Sequence, residues 1–188
     1  MYTHVLLVIF TNMLNFVSKL LSIFFLIAPL SIEHKQNRIL TPIESDDLSK
    51  ILNESYYNLY GKKLDEHVLA GAHAHISLEN KHGQRIWNHN IGNIGNLPQE
   101  PQEPYYSHFG KAKYRSYSSF IKGGEGYWKF MSRCPMAIKN FKLRNPRGAA
   151  LSLGRCNYYR SEQEGYAQAL SSLYEKALRK SKNFNSSG

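Results

Sequence analysis

Apolar and polar residues follow one another in blocks along this chain, and most blocks carry the three-to-four-residue period of a helix lying on a core. Val68, Leu69, Ala72 and Ile76 recur at that spacing, with Asp65 in front of them as an N-cap residue, which predicts a helix over 65–81. Upstream, Thr41-Pro42-Ile43-Glu44 combines a capping box with proline at the first helical position. It predicts a helix from there to about Tyr60, stopped by Gly61. Downstream, Tyr105 to Tyr117 predicts a short hairpin, and Ser118 or Ser119 opens a helix reaching Arg133 despite Gly123, Gly124 and Gly126. Pro135 begins a short helix to about Phe141, and Asn145-Pro146 opens another ending near Gly154. A second capping box, Ser161-Glu162-Gln163-Glu164, opens the last helix to about Lys180. Leu97 to Pro104 holds three prolines without periodicity and is a loop. The expected class is mainly α with one small extended lobe.

Glu79 interrupts this pattern. It lies three residues past Ile76, seven past Ala72 and eleven past Val68, so a helix over 65–81 puts it on their side. A carboxylate on a buried stripe is costly unless paired or neutral. Desolvation raises its pKa, which is what a general acid needs near neutral pH. Alternatively Glu79 caps the following Gly/Asn-rich turn, or pairs at the surface with Lys81, His82 or Arg85. Spacing alone leaves both open.

The 188 residues suffice for one domain plus an N-terminal extension. Lys and Arg number 24 against 14 Asp and Glu, a net charge of +10 that suits a polyanionic partner. A basic nucleic-acid-binding protein is one such class, but the basic residues are scattered rather than gathered in a stripe, and no nucleic-acid motif is present. Nucleic acid is therefore not the expected partner. The 13 tyrosines and two tryptophans fit sugar stacking as well as base stacking.

Residues 1–30 form an N-terminal hydrophobic segment. Lys19 interrupts it, so it makes a poor continuous membrane-spanning helix. Counted from Met13, a short charged stretch to Lys19 precedes an apolar run from Leu20 to Ala28, the pattern of a signal peptide with Met13 as the start. The site after Ala28 is a weak cleavage site, so membrane anchoring is the alternative. Either way an exported chain is expected, in the periplasm or envelope, secreted or membrane-anchored. Residues 31–41 read as a polar linker, 42–181 as the domain and 182–188 as a polar tail. Cys134 and Cys156 are the only cysteines and lack a C-x-x-C motif; in an exported chain they are a candidate disulfide, with two buried thiols as the alternative.

His73, His75, His82 and His89 cluster in sequence around Glu79, but there is no H-E-x-x-H, and no metal or other cofactor is expected. A Cys-His peptidase built on Cys134 or Cys156 lacks a recognisable nucleophile motif.

Ala74, Glu79, Gly83, Trp87, Asn88, Asn90, Gly92, Asn93 and Ile94 together resemble the catalytic region of lysozyme-like peptidoglycan glycosidases, especially bacterial and phage glucosaminidase-type domains. The likeness continues through Tyr114-Arg115-Ser116-Tyr117 with Ser119-Phe120, through Asn145-Pro146-Arg147-Gly148-Ala149-Ala150, and through Tyr158-Tyr159-Arg160-Ser161 with Tyr166-Ala167 and Leu170. Asn145 stands where the family more often has Asp. The four pieces fall in family order over about 45–178.

The resemblance implies a lysozyme-like α+β domain whose small lobe forms the far wall of a sugar cleft. It implies cleavage between GlcNAc and MurNAc by an endo-N-acetylglucosaminidase, muramidase or lytic transglycosylase, with peptidoglycan strands and anionic wall polymers as partners. Glu79 would protonate the glycosidic oxygen. Tyr158 matches a cleft tyrosine, with core packing as its alternative. Asn90 and Asn93 either hold the turn or bond an acetamido group, and Trp87 and Tyr117 are candidate stacking residues, with core packing as their alternative. Candidates for a second acid are Glu100 and Glu103 in the loop, and Glu125, for which a solvated helix face is preferred. A wall-binding domain without catalysis is the remaining alternative.

Overall fold

The computed structural model describes residues 35–96, 104–108, 112–159 and 163–185. The N-terminal hydrophobic segment, Glu100, Glu103 and the Ser161-Glu162 start of the last capping box lie outside the described residues. Six helices and one hairpin are described: α1 (Ser45–Tyr60), α2 (Glu66–Glu79), β1 (Tyr105–His108), β2 (Ala112–Arg115), α3 (Phe120–Ser132), α4 (Pro135–Lys142), α5 (Pro146–Arg155) and α6 (Gln163–Asn185). Among the described residues no helix is long and apolar enough to cross a membrane.

α2 is the central helix. Asp65 caps it as expected, accepting from the N–H groups of His67 and Val68 at 3.0 and 3.1 Å. The expected single stripe is wider in fact. Ala70, Gly71, Ala74, His75 and Ser77 are buried along with Val68, Ala72 and Ile76, so α2 is covered nearly all round. α6 runs antiparallel along it, because Tyr174 meets His67 near one end of α2 and Tyr166 meets Glu79 at the other. α5 packs on α6, α4 on α5, and α1 on α3. Trp128 joins the last pair, its ring N–H bonded to the Leu52 carbonyl at 3.0 Å. Fully burying a side chain such as Phe141, which stacks on Tyr174, contributes roughly 1.5–3 kcal/mol.

Several boundaries differ from expectation, each for a local reason. α1 starts at Ser45 rather than beside Thr41, because the Thr41 hydroxyl is engaged elsewhere: it donates to Ile86 O and accepts from His89 N. Gly61 does end α1, with φ 63° and its N–H on Tyr57 O. α2 stops at Glu79 rather than Lys81, since Lys81 and His82 take positive φ. α6 runs on to Asn185, past Lys180.

Residues 35–41, expected as a linker, are stitched to the lobe. Gln36 N–H bonds Tyr105 O at 2.7 Å, Thr41 N–H bonds Ile86 O at 2.8 Å, and Leu40 pairs with Trp87 in an antiparallel bridge. The hairpin pairs Tyr106 with Tyr114 and Tyr105 with Arg115, and Gly95 bridges to Tyr114. The glycines of α3 are explained by close approach. A Cβ at Gly123 would overlap the His89 carbonyl, and one at Gly126 would overlap the Tyr117 ring, so small residues let the lobe seat against α3. Cys134, capping the start of α4, and Cys156, at the end of α5, form a disulfide with Cα atoms 6.0 Å apart.

Candidate active site

The turn after α2 is a run of backbone conformations that few residue types adopt at low cost. Lys81, His82, Gly83, Asn88, His89 and Asn93 all have positive φ, and asparagine and glycine tolerate that region best. Side-chain amides hold the turn. Asn80 Nδ2 donates to Ile91 O at 2.5 Å. Asn88 accepts from Ile39 N at 2.8 Å and donates to Asn37 O at 2.8 Å and Ser116 Oγ at 3.1 Å. Asn90 accepts from Ile94 N and donates to Ile94 O and Arg115 O, all within 3.0 Å.

This turn delivers Glu79, the last residue of α2, to a cleft of about 620 Å³. Gln84, Arg85, Asn93 and Trp87 line the cleft beside Glu79, while Arg38, Leu40, Tyr106 and Tyr114 supply the wall on the lobe. Tyr106 and Tyr114 stack with centroids 5.8 Å apart. Glu79 is half-buried, and burial raises its carboxyl pKa. Tyr166 acts the other way: its hydroxyl donates to Glu79 Oε1 at 2.7 Å, which favours the carboxylate. Burial dominates, so the net shift is upward. Tyr166 is itself clamped, stacked on Tyr159 at 3.8 Å, while the Tyr159 hydroxyl donates to Ala150 O.

The other candidates divide. Trp87 and Asn93 line the cleft, and Asn93 Nδ2 also donates to the Glu79 carbonyl at 3.3 Å. Asn90 is fully buried with its amide committed to the turn, so it is a scaffold residue rather than a sugar contact. Tyr117 packs against Gly126 between the turn and α3 and does not line the cleft. Tyr158 lies behind the cleft against His75 and Phe130, its hydroxyl donating to Gly92 O at 2.5 Å. Burial holds its pKa up, and the nearby Glu79 charge adds to the rise. Glu125 is on α3, paired with Lys122 at 2.8 Å, and does not line the cleft.

His73, His75 and His89 have separate structural partners. His75 Nδ1 meets the Tyr127 hydroxyl at 3.0 Å, and burial lowers its pKa to about 3, so the ring is neutral at physiological pH. His73 bonds Ser45, His89 donates from Nδ1 to Tyr117 O, and His82 is exposed. Among the described residues no group of three or more His, Cys, Asp or Glu side chains is placed to hold a metal.

Tyr166, Arg38, Arg85 and the Tyr106–Tyr114 pair were not singled out from sequence as site residues. For Tyr166 a signal existed: it begins the stripe Tyr166, Leu170, Tyr174 on α6, as Glu79 ends the one on α2. Two stripes packed antiparallel bring those ends together. Nothing local in the sequence links Arg38 to the cleft.

Among solved structures, the chain is similar to the glycoside hydrolase domain of FlgJ from Salmonella typhimurium, with TM-score 0.54 and 18% identity, covering 77% of this chain and 95% of that one. A C-terminally truncated form of that domain aligns with TM-score 0.46 and 18% identity, over 71% of this chain and 97% of that one. No family model and no curated protein matches the sequence. The fold is therefore the lysozyme-like α+β architecture expected from the sequence.

Proposed function

We propose that this chain is a glycosidase that cleaves peptidoglycan strands between GlcNAc and MurNAc, with Glu79 as the general acid. The observation that carries this is the Glu79 carboxyl at the end of a buried helix, facing a cleft, with its pKa raised by burial. The fold shared with a glycoside hydrolase domain supports the reaction class, and the ordered sequence motifs support the substrate.

In this reading the protonated Glu79 donates to the glycosidic oxygen as the bond to the anomeric carbon breaks through an oxocarbenium-like state. Tyr166 bonds Oε1, leaving Oε2 to carry the proton toward the substrate. Glu79 is the one carboxylate among the described residues that line the cleft. One acid suffices when the substrate's own N-acetyl group or the muramic 6-hydroxyl attacks the anomeric carbon. Export is part of the proposal, supported by the apolar run Leu20 to Ala28 and by the Cys134–Cys156 disulfide.

The alternative is a wall-binding module without catalysis, against which the intact Glu79 argues. Incubating the purified chain with isolated cell walls and weighing the released fragments separates the two. A reducing-end GlcNAc, a reducing-end MurNAc or a 1,6-anhydro-MurNAc product each identifies one glycosidase subtype. Co-sedimentation with walls and no glycan fragments identifies the binding module.

A further inference from the structure

The Cys134–Cys156 disulfide stands close in sequence to the residues that hold the Glu79 carboxyl. Cys134 follows α3, whose Phe130 packs its ring against Tyr158 with centroids 5.1 Å apart. Cys156 ends α5 and lies two and three residues ahead of Tyr158 and Tyr159. The bridge therefore closes around the Phe130–Tyr158 contact from both sides. Its two sulfurs differ in access: Cys134 is buried, whereas Cys156 is partly exposed.

Between Cys156 and Tyr159 the backbone leaves α5 in a turn. Asn157 takes a positive φ of 58°, and the N–H groups of Asn157 and Tyr158 bond the Gly154 and Leu153 carbonyls at 3.0 and 3.1 Å. Asn157 is exposed, so water competes for these bonds and they hold the turn weakly by themselves. Beyond the turn, side chains carry the connection to the acid. Tyr159 donates to Ala150 O at 2.9 Å and stacks on Tyr166 with centroids 3.8 Å apart and planes 16° from parallel. Tyr166 then donates to Glu79 Oε1 at 2.7 Å. Arg38, Arg85, Tyr106 and Tyr114 share the cleft with Glu79, and Tyr127 and Tyr158 feel its charge. The hydrogen bond that lowers the Glu79 pKa comes from Tyr166, so its loss is read as a rise.

We propose that the Cys134–Cys156 disulfide is a positioning element for Glu79: through Tyr159 it holds Tyr166 on the carboxyl, and opening it withdraws that hydrogen bond, so that placement of the acid depends on the redox state of the bridge. The link itself requires no particular activity, and its effect on rate rests on the glycosidase reading. A dithiol reductant acts at Cys156, the more accessible sulfur. Its thiolate attacks the Cys156 sulfur, the S–S bond breaks, and Cys134 leaves as a thiolate that takes up a proton. The second thiol then displaces Cys156 and closes the reductant's own disulfide, so that two electrons and two protons have passed to the protein.

The test compares the full chain oxidised, reduced with dithiothreitol, and as Tyr159→Leu with the disulfide intact. Carboxyl-carbon NMR titrates Glu79, identified by the signal missing from Glu79→Gln. Peptidoglycan cleavage is timed in the same samples, below the melting point of each form. Reduction is expected to raise the Glu79 pKa and to lower kcat roughly 10- to 100-fold with KM within about twofold, as for a displaced acid rather than weakened binding. Oxidised Tyr159→Leu is expected to show the same rise, and reductant to change it little further. Because Tyr159→Leu keeps the bridge, it tests the route even where reduction unfolds the chain. An equal Glu79 pKa in oxidised and reduced folded protein overturns the link, as does a Tyr159→Leu variant that titrates like wild type or responds to reduction in full. An unchanged kcat in a chain that cleaves peptidoglycan overturns the positioning role. A redox-dependent Glu79 pKa in a chain that cleaves no peptidoglycan instead overturns the glycosidase reading and leaves the link standing.

Discussion

Tyr166 on α6 donates a hydrogen bond to the carboxyl of Glu79 at the end of α2, spanning 2.7 Å between residues 87 positions apart in the chain. Burial raises the Glu79 pKa, and this hydrogen bond moderates the rise because it favours the ionised form. Tyr166→Phe removes only the hydroxyl and keeps the stack on Tyr159. Without the donor the Glu79 pKa rises further, so its acid form persists to higher pH. The expected outcome is an alkaline limb of the pH–activity profile displaced upward, with a lower maximum rate from a less well positioned acid. An unchanged profile in a folded variant assigns Tyr166 to packing alone.

The same shift makes a prediction about stability. With a folded pKa above the unfolded value, ionising Glu79 favours the unfolded chain. Its contribution is fully present below the unfolded pKa of about 4.3 and is lost as pH rises through the folded value. Glu79→Gln does not titrate and escapes that loss. The difference in melting temperature between variant and wild type is therefore expected to move in the variant's favour from about pH 4 to about pH 8. A difference independent of pH contradicts the assigned shift.

Asn88 ties the 37–39 segment to Ser116 with three hydrogen bonds at positive φ. Asn88→Ala removes the amide and strains the backbone, and is expected to cost roughly 2–4 kcal/mol in denaturant melts. Asn88→Gly restores the backbone freedom and is expected to recover part of that loss. Equal stabilities for the two variants assign the whole cost to the amide.

Cys134 and Cys156 join the start of α4 to the end of α5. Opening the bond with a thiol reductant is expected to lower unfolding free energy by roughly 3 kcal/mol on the loop-entropy view. Calorimetry of oxidised and reduced protein checks this, and identical melting curves contradict a stabilising bridge.

What the sequence made legible was whatever depended on near neighbours in the chain. Asp65 and Gly61 bound their helices as expected, because cap chemistry is decided within four residues. Thr41 did not, since its hydroxyl is engaged by Ile86 and His89 more than forty residues away. Glu79 was found because it broke a pattern, although the stripe it broke proved to be one face of a helix buried almost all round. Residue type left Asn90 open between holding the turn and bonding a sugar, and Tyr117 between core packing and stacking; the fold uses both to seat the turn against the hairpin and α3. The cleft's own wall, from Arg38 to Tyr114, comes from tertiary pairing that no local pattern encodes.

The central claim, that Glu79 is the general acid, is tested most directly by the rate at which Glu79→Gln clears purified peptidoglycan, beside Glu125→Gln as control. The amide is nearly isosteric and cannot give up a proton, so the rate is expected to fall by on the order of a hundredfold to ten-thousandfold. Wall binding is expected to persist. Glu125 pairs with Lys122 on α3, so its variant is expected to stay within about twofold of wild type. A Glu79→Gln protein that clears walls at near wild-type rate contradicts the account.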